Sequence, residues 1–176
     1  GCGQIYAQGA KLVNESIESK EMFENATWKE LVANCKENGV MHFIGLLSDG
    51  NVHSHINHLF ALLDQAKADG VKEVRVHILL DGRDVPETSA LTYVDALEEK
   101  LSAINGDDFH AVIASGGGRM KITMDRYEAN WAMVEEGWHT HVLGEGRQFA
   151  SAREAVETYR AETGVVDQDM PAFVIA

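Results

Sequence analysis

The chain has 176 residues, enough for one domain with a substantial core. Its 15 lysines and arginines stand against 28 aspartates and glutamates, giving a formal net charge of −13 with no basic stripe to offset it, so nucleic acid and anionic membrane are excluded as general partners. No apolar run approaches the roughly 20 residues that span a bilayer, and Cys2 and Cys35 form neither a disulfide framework nor a metal spacing. Without a signal-peptide pattern, a cytoplasmic protein with reduced thiols is expected.

Taken in order, the periodicity alternates between helix and strand. Residues 7–20 and 27–38 predict helices, with Gly39 placed to close the second in the left-handed conformation. Asn25-Ala-Thr27 matches a glycosylation acceptor, which carries little weight without a secretion signal. Residues 41–47 predict a strand, and Ile56, Leu59, Phe60 and Leu63 follow helical spacing up to Gly70. A strand over 73–80 leads into a loop containing Pro86. There Thr88 or Ser89 is placed to cap a helix with the apolar face Leu91, Val94, Leu97 and Leu101. A third strand spans 110–115, a helix covers 125–136 with Asp125 as its cap, and a short strand is expected at 141–143. A helix over 151–163 and a final strand over 172–176 complete the pattern. The alternation implies a three-layer α/β fold, a largely parallel or mixed curved sheet covered by helices, in a single domain. Its opening at Gly1-Cys-Gly and its stop inside an apolar strand suggest a piece of a longer protein.

Three strands run into loops that carry glycine and charge: Ser48 to His53, Asp81 to Asp84, and Ser115 to Arg119. The carboxyl ends of parallel strands line one crevice, so these loops are expected to converge. They deliver Asp49, His53, Arg83, Asp84 and Arg119, with Arg126 close behind. Of seven arginines in the chain, three lie in or beside these loops. Arginine's planar fork matches phosphate or carboxylate oxygens, and a few arginines dominate the local field within a Debye length of about 8 Å. A small, phosphorylated anion is the expected ligand.

Each motif also has a plainer reading. Asp81-Gly-Arg-Asp84 alone is an ordinary turn with an internal ion pair. Gly116-Gly-Gly-Arg119 has the look of a phosphate cradle but lacks the lysine and hydroxyl of a P-loop. Arg126 alone reads as an exposed helix residue. His53 could merely cap the following helix, although Ser54 serves equally. His53, His55 and His58 together could hold a metal. His77 alternates within a strand and reads as a buried, hydrogen-bonded histidine, while His110, His139 and His141 read as surface or strand-edge residues. Trp131 and Trp138 read as packing residues.

Ser48-Asp-Gly-Asn-Val-His-Ser-His55, Leu80-Asp-Gly-Arg-Asp-Val-Pro86 and Ala114-Ser-Gly-Gly-Gly-Arg119 with Thr123-Met-Asp-Arg-Tyr-Glu128 together closely resemble the cofactor-independent phosphoglycerate mutases. The resemblance runs from Gly1-Cys-Gly-Gln-Ile-Tyr to Phe173-Val-Ile175, and it is to the inserted substrate-binding, or phosphotransferase, domain of that family. It implies interconversion of 3-phosphoglycerate and 2-phosphoglycerate through a phosphoserine in a second, alkaline-phosphatase-like domain. Two divalent ions, usually manganese, sit beside that serine, and none is expected in the present chain. By motif, His53, Arg83, Asp84, Arg119 and Arg126 match positions that contact phosphoglycerate. The arginines hold its charged groups, Asp84 serves as acid/base near the hydroxyls, and His53 binds or protonates nearby oxygens. A monomer whose domains close to exclude water is implied, with the isolated piece inactive. Two other readings stand beside this one: a small-anion binding module, and a metal-dependent hydrolase built on His53, His55 and His58.

Overall fold

The computed structural model describes residues 9–124 and 128–176. Three helices open this part of the chain: α1 (Gly9–Glu18), the single turn α2 (Glu21–Glu24) and α3 (Ala26–Cys35). Asn25 is the N-cap of α3, its side chain accepting from the Thr27 and Trp28 amides, so the glycosylation-like triplet has a local structural role. Strand β1 (Val40–Leu47) is followed by α4 (Ile56–Ala68), β2 (Glu73–Leu80), α5 (Ala90–Ile104) and β3 (His110–Gly118). Then come α6 (Trp131–His141), β4 (Arg147–Phe149), α7 (Ala152–Thr163), a 3₁₀ turn at Asp167–Asp169 and β5 (Phe173–Ile175).

The five strands form one sheet in the order β1-β2-β3-β5-β4. Strands β1, β2 and β3 are mutually parallel, while β5 runs antiparallel to β3 and parallel to β4. The sheet is therefore mixed and mostly parallel, as expected. On one face Met41, Val74, Val76, Ile78, Leu80, Ala111 and Ile113 pack with Trp28, Leu63, Val94, Leu97 and Val156 from the helices. The other face carries a smaller apolar group, Leu46, Leu79 and Ile122 with Ala172, covered by the segment after β3 and by α6.

Several local expectations are corrected. The expected strand at 141–143 is absent, because α6 continues to His141 and the Val142 amide still donates to the Trp138 carbonyl. The short strand lies instead at Arg147–Phe149, where it has β5 to pair with. Asn130, not Asp125, is the N-cap of α6; Asp125 and Arg126 lie outside the described residues. Gly70 closes α4 with φ +86°, but Gly39 is not left-handed. Its requirement is steric, since a Cβ there would meet the Asn34 carbonyl oxygen at 2.5 Å. Helix α5 is capped neither by Thr88 nor by the Ser89 side chain: the fully buried Asp167 reaches across the fold to accept from the Ala90 amide at 2.7 Å. Trp131 and Trp138 are 65% and 59% exposed, so neither is a core packing residue.

A chain of hydrogen bonds runs beneath α6. His42 Nδ1 lies 2.9 Å from His77 Nε2, His77 Nδ1 2.6 Å from Ser115 Oγ, and Ser115 Oγ 2.8 Å from His141 Nδ1. His141 Nε2 ends it at Thr123 Oγ1, 3.0 Å away. His77 is thus the buried, bonded residue expected, whereas His141 is buried and not at the surface. Exposed His110 and half-buried His139 pair with Glu73 and Glu145. Thr123 has φ +72° and is flanked by a bond from the Met124 amide to the Ile122 carbonyl, the pattern of a strained γ-turn.

Burial holds both His77 and His141 down to about 4, with His141, His42 and Arg75 adding to the effect on His77. In the unfolded chain both titrate near 6.5. Between those values the unfolded state binds more protons, so their contribution is complete above pH 6.5 and is lost as pH falls towards 4. Urea midpoints measured from pH 7.5 to 4 should therefore decline, with the decline starting near 6.5. A midpoint that stays level down to pH 5 would contradict neutral burial of this pair.

Candidate functional site

The register of the parallel strands builds the site. Leu47 pairs with Leu80, and Leu80 with Gly118, so the next residues on each strand, Ser48, Asp81 and Arg119, emerge side by side. A register shift between Val76 and His77 contributes: Val76 pairs with Ile113 but His77 with Ser115, and β3 bulges by one residue. Without that extra residue Gly118, not Arg119, would stand beside Asp81. The three strand ends expected to converge therefore do so, fixed by backbone pairing, although Ser115–Gly118 of the third expected loop are strand.

Arg119 is 6% exposed and sits between two carboxylates. Its Nη1 donates to Asp81 Oδ1 at 2.7 Å and to Asp84 Oδ2 at 2.8 Å. Burial opposes its charge, but the bonds to Asp84 and Asp81 outweigh that and raise its pKa. Nη1 carries both bonds, so these two carboxylates do not engage the side-on Nε–Nη2 edge of the guanidinium. Asp84 is partly open, and His53 Nε2 lies 4.0 Å from its Oδ2. Arg83, in the same loop, is exposed and has no side-chain partner among the described residues. The structure thus brings His53, Asp84 and Arg119 together, with Arg83 next to Asp84 on the rim.

Two residues at the centre escaped sequence reading. Asp81 accepts from the Asp84 amide at 3.1 Å, the Arg83 amide at 3.3 Å and Ser48 Oγ at 2.6 Å, besides Arg119. Burial pushes its carboxyl up, yet these bonds prevail and it titrates below its ordinary value. Asp81 and Ser48 are both buried, and the only hint of this was their position, one residue beyond each apolar strand. Asp49, expected in the crevice, is turned to the rim, where Tyr93 of α5 donates to it at 2.6 Å. Burial and then this bond to Asp49 push the Tyr93 phenol up to about 12.

The glycine run is not a loop. Gly116, Gly117 and Gly118 complete β3, and each lacks room for a side chain. A Cβ on Gly116 would meet Phe173 and Ile78 within 2.7 Å, and one on Gly118 would meet the Gln168 carbonyl oxygen at 2.3 Å. The triplet lets β5 and the 3₁₀ turn approach the sheet, which replaces the cradle reading.

The histidine cluster does not assemble. His55 Nδ1 caps α4 by accepting from the Asn57 amide, so the cap is neither His53 nor Ser54, whose hydroxyl donates to the Leu46 carbonyl. His58 Nε2 lies 2.5 Å from Asn14 Oδ1, and His53 faces Asp84 instead. Among the described residues no group of three histidine, cysteine, aspartate or glutamate side chains is arranged to hold a metal ion. No helix of the described residues is long and apolar enough to cross a membrane.

With this geometry in place, comparison with known proteins is informative. The family described as "BPG-independent PGAM N-terminus" matches residues 13–176. A protein of Leptospira interrogans called a probable 2,3-bisphosphoglycerate-independent phosphoglycerate mutase is 55% identical over 178 aligned residues, covering 100% of this chain and 32% of its own. The 2,3-bisphosphoglycerate-independent phosphoglycerate mutase of Trypanosoma brucei brucei is 49% identical with the same coverage. Among solved structures, the phosphoglycerate mutase of Leishmania mexicana, crystallised at low cobalt concentration, superposes with a TM-score of 0.96 at 45% identity, over 100% of this chain and 32% of that one. The chain spans about a third of the length of the curated relatives it matches.

Proposed function

The chain belongs to the BPG-independent phosphoglycerate mutase family, matching its N-terminal region, and from that premise we propose that it is the substrate-binding domain of a cytoplasmic, monomeric enzyme that interconverts 3-phosphoglycerate and 2-phosphoglycerate. The observation that carries the reading is the alignment of Ser48, Asp81 and Arg119 at three strand ends, with Arg119 beside Asp84, His53 and the exposed Arg83. Arg83 and Arg119 bind the carboxylate and phosphate of the glycerate, with Arg126 as a third cation from the segment outside the described residues. Asp84 stands near the glycerate hydroxyls and moves the proton as the phosphoryl group leaves or arrives; His53 donates to neighbouring oxygens.

The phosphoryl group is carried by a serine of a second, alkaline-phosphatase-like domain in the longer parent chain. Two divalent ions, manganese by the family resemblance, supply Lewis-acid chemistry there, and no residue described here is assigned to hold them. This domain retains the glycerate while it reorients, and closure of the two domains excludes the water that would turn a mutase into a phosphatase. The chain alone therefore binds but does not turn over.

Titrating the 176-residue chain with 3-phosphoglycerate, by calorimetry or chemical shifts, should give millimolar affinity, about −4 kcal/mol, weakening with salt. Arg83→Ala should reduce it at least tenfold. Binding indifferent to Arg83→Ala would remove the reading.

A further inference from the structure

Asp81 is too deeply buried to meet a ligand, yet the three strand ends of the site meet on it. It is 3% exposed and takes four bonds, from the end of β1 through Ser48, from two amides of its own loop, and from Arg119 beyond β3. Asp84 shares the same Arg119 nitrogen but is the more open carboxylate, and it alone lies near His53. The two aspartates are thus unequal partners of one guanidinium. Exchanging Asp81 would break a buried, multiply bonded pair, which is costly; exchanging Asp84 would break one contact at the edge of solvent.

Resting on the ligand reading above, we propose that Asp81, clamped by Ser48, is the positioning residue of this site: it stays the counter-ion of Arg119 throughout, aims the Nε–Nη2 edge at the bound anion, and leaves Asp84 free to exchange Arg119 for a ligand hydroxyl. Ser48 Oγ occupies Oδ2 and fixes the carboxylate rotation, so Oδ1 always faces Arg119 and the two amides. The order of the site then comes from a residue that never touches substrate.

Nitrogen-15 spectra of the arginine side chains in the 176-residue chain test this directly. A guanidinium held by Asp81 rotates slowly and gives resolved Nη signals for Arg119. Asp84→Asn should leave them resolved. Asp81→Ala, which removes the acceptor, should merge them and weaken both 3-phosphoglycerate and inorganic phosphate at least tenfold, and Ser48→Ala should broaden them. Resolved signals in Asp81→Ala, or merged signals in Asp84→Asn, would overturn the proposal. Should Asp81→Ala not fold, the other two variants decide: resolved signals in Asp84→Asn with broadening in Ser48→Ala support it, and any other pair of results overturns it. If the unmodified chain binds neither ligand, the ligand reading fails separately, while the Arg119 spectra still decide whether Asp81 holds the guanidinium.

Discussion

In an enzyme of full length carrying this sequence, Asp84→Asn should lower kcat by about 10²–10⁴-fold while KM stays within a few fold, the signature of a lost acid/base group. The substitution is nearly isosteric. Asparagine can still accept from Arg119 Nη1, now at 2.8 Å, so the loop and the guanidinium should keep their places. What is lost is the basicity of the oxygen that faces His53. Metal content should be unchanged, because the ions are assigned to the other domain. Arg119→Ala should give the contrasting result, a raised KM, because it removes the proposed ligand contacts and leaves Asp81 buried without its cation. Steady-state kinetics of the two variants separate the roles. A near-normal kcat for Asp84→Asn would reduce Asp84 to an orienting partner of Arg119 and pass the acid/base role to His53 or to the rest of the parent chain.

The parts of this fold legible in the sequence are those that local pattern determines. Strands β1 and β2 and helices α4, α5 and α7 follow from apolar periodicity, and Gly70 follows from the need for a left-handed residue after α4. Convergence of the three loops followed from their shared position after parallel strands, and His53, Asp84 and Arg119 do meet. Several of the errors share one physical cause, which is that the deciding contact is remote in sequence. Nothing near Val142 reveals that the short strand waits until residue 147 for β5 as its partner. Ser89 looked like a cap because Asp167, 77 positions further from Ala90, was not visible as one. His141 looked like an edge residue because Ser115 and Thr123 lie across a turn that only the tertiary fold closes. The bulge that brings Arg119 beside Asp81 has no local signature at all. The resemblance named His53, Arg83, Asp84, Arg119 and Arg126; the bonds by which Ser48, the loop amides and Arg119 meet on Asp81 follow only from distances.

The glycine triplet is where the sequence pattern and the structure disagree most, and Gly118→Ala tests which is right. The backbone conformation there is ordinary strand, so no penalty comes from φ or ψ. The penalty is steric and falls on backbone atoms: an added Cβ would lie 2.3 Å from the Gln168 carbonyl oxygen, 2.5 Å from its carbon and 2.6 Å from the Asp167 carbonyl oxygen. No rotamer change relieves such a clash, so the 3₁₀ turn must move. That turn is tied to β3 by the bond from the Gly118 amide to the Met170 carbonyl and from the Met120 amide to the Gln168 carbonyl. It also carries Asp167, which caps α5 at Ala90 and pairs with Arg160 at 2.5 Å, so displacement strains α5 and α7 together. The expected loss is about 3 kcal/mol or more, at the upper end for overpacking and a large share of a typical domain's 5–15 kcal/mol. Urea unfolding should show a strongly lowered midpoint with an unchanged slope. A glycine kept for anion binding behaves in the opposite way: alanine would leave the midpoint in place and abolish phosphate binding. That second outcome would restore the cradle, and would mean that the 3₁₀ turn yields to a methyl group without cost.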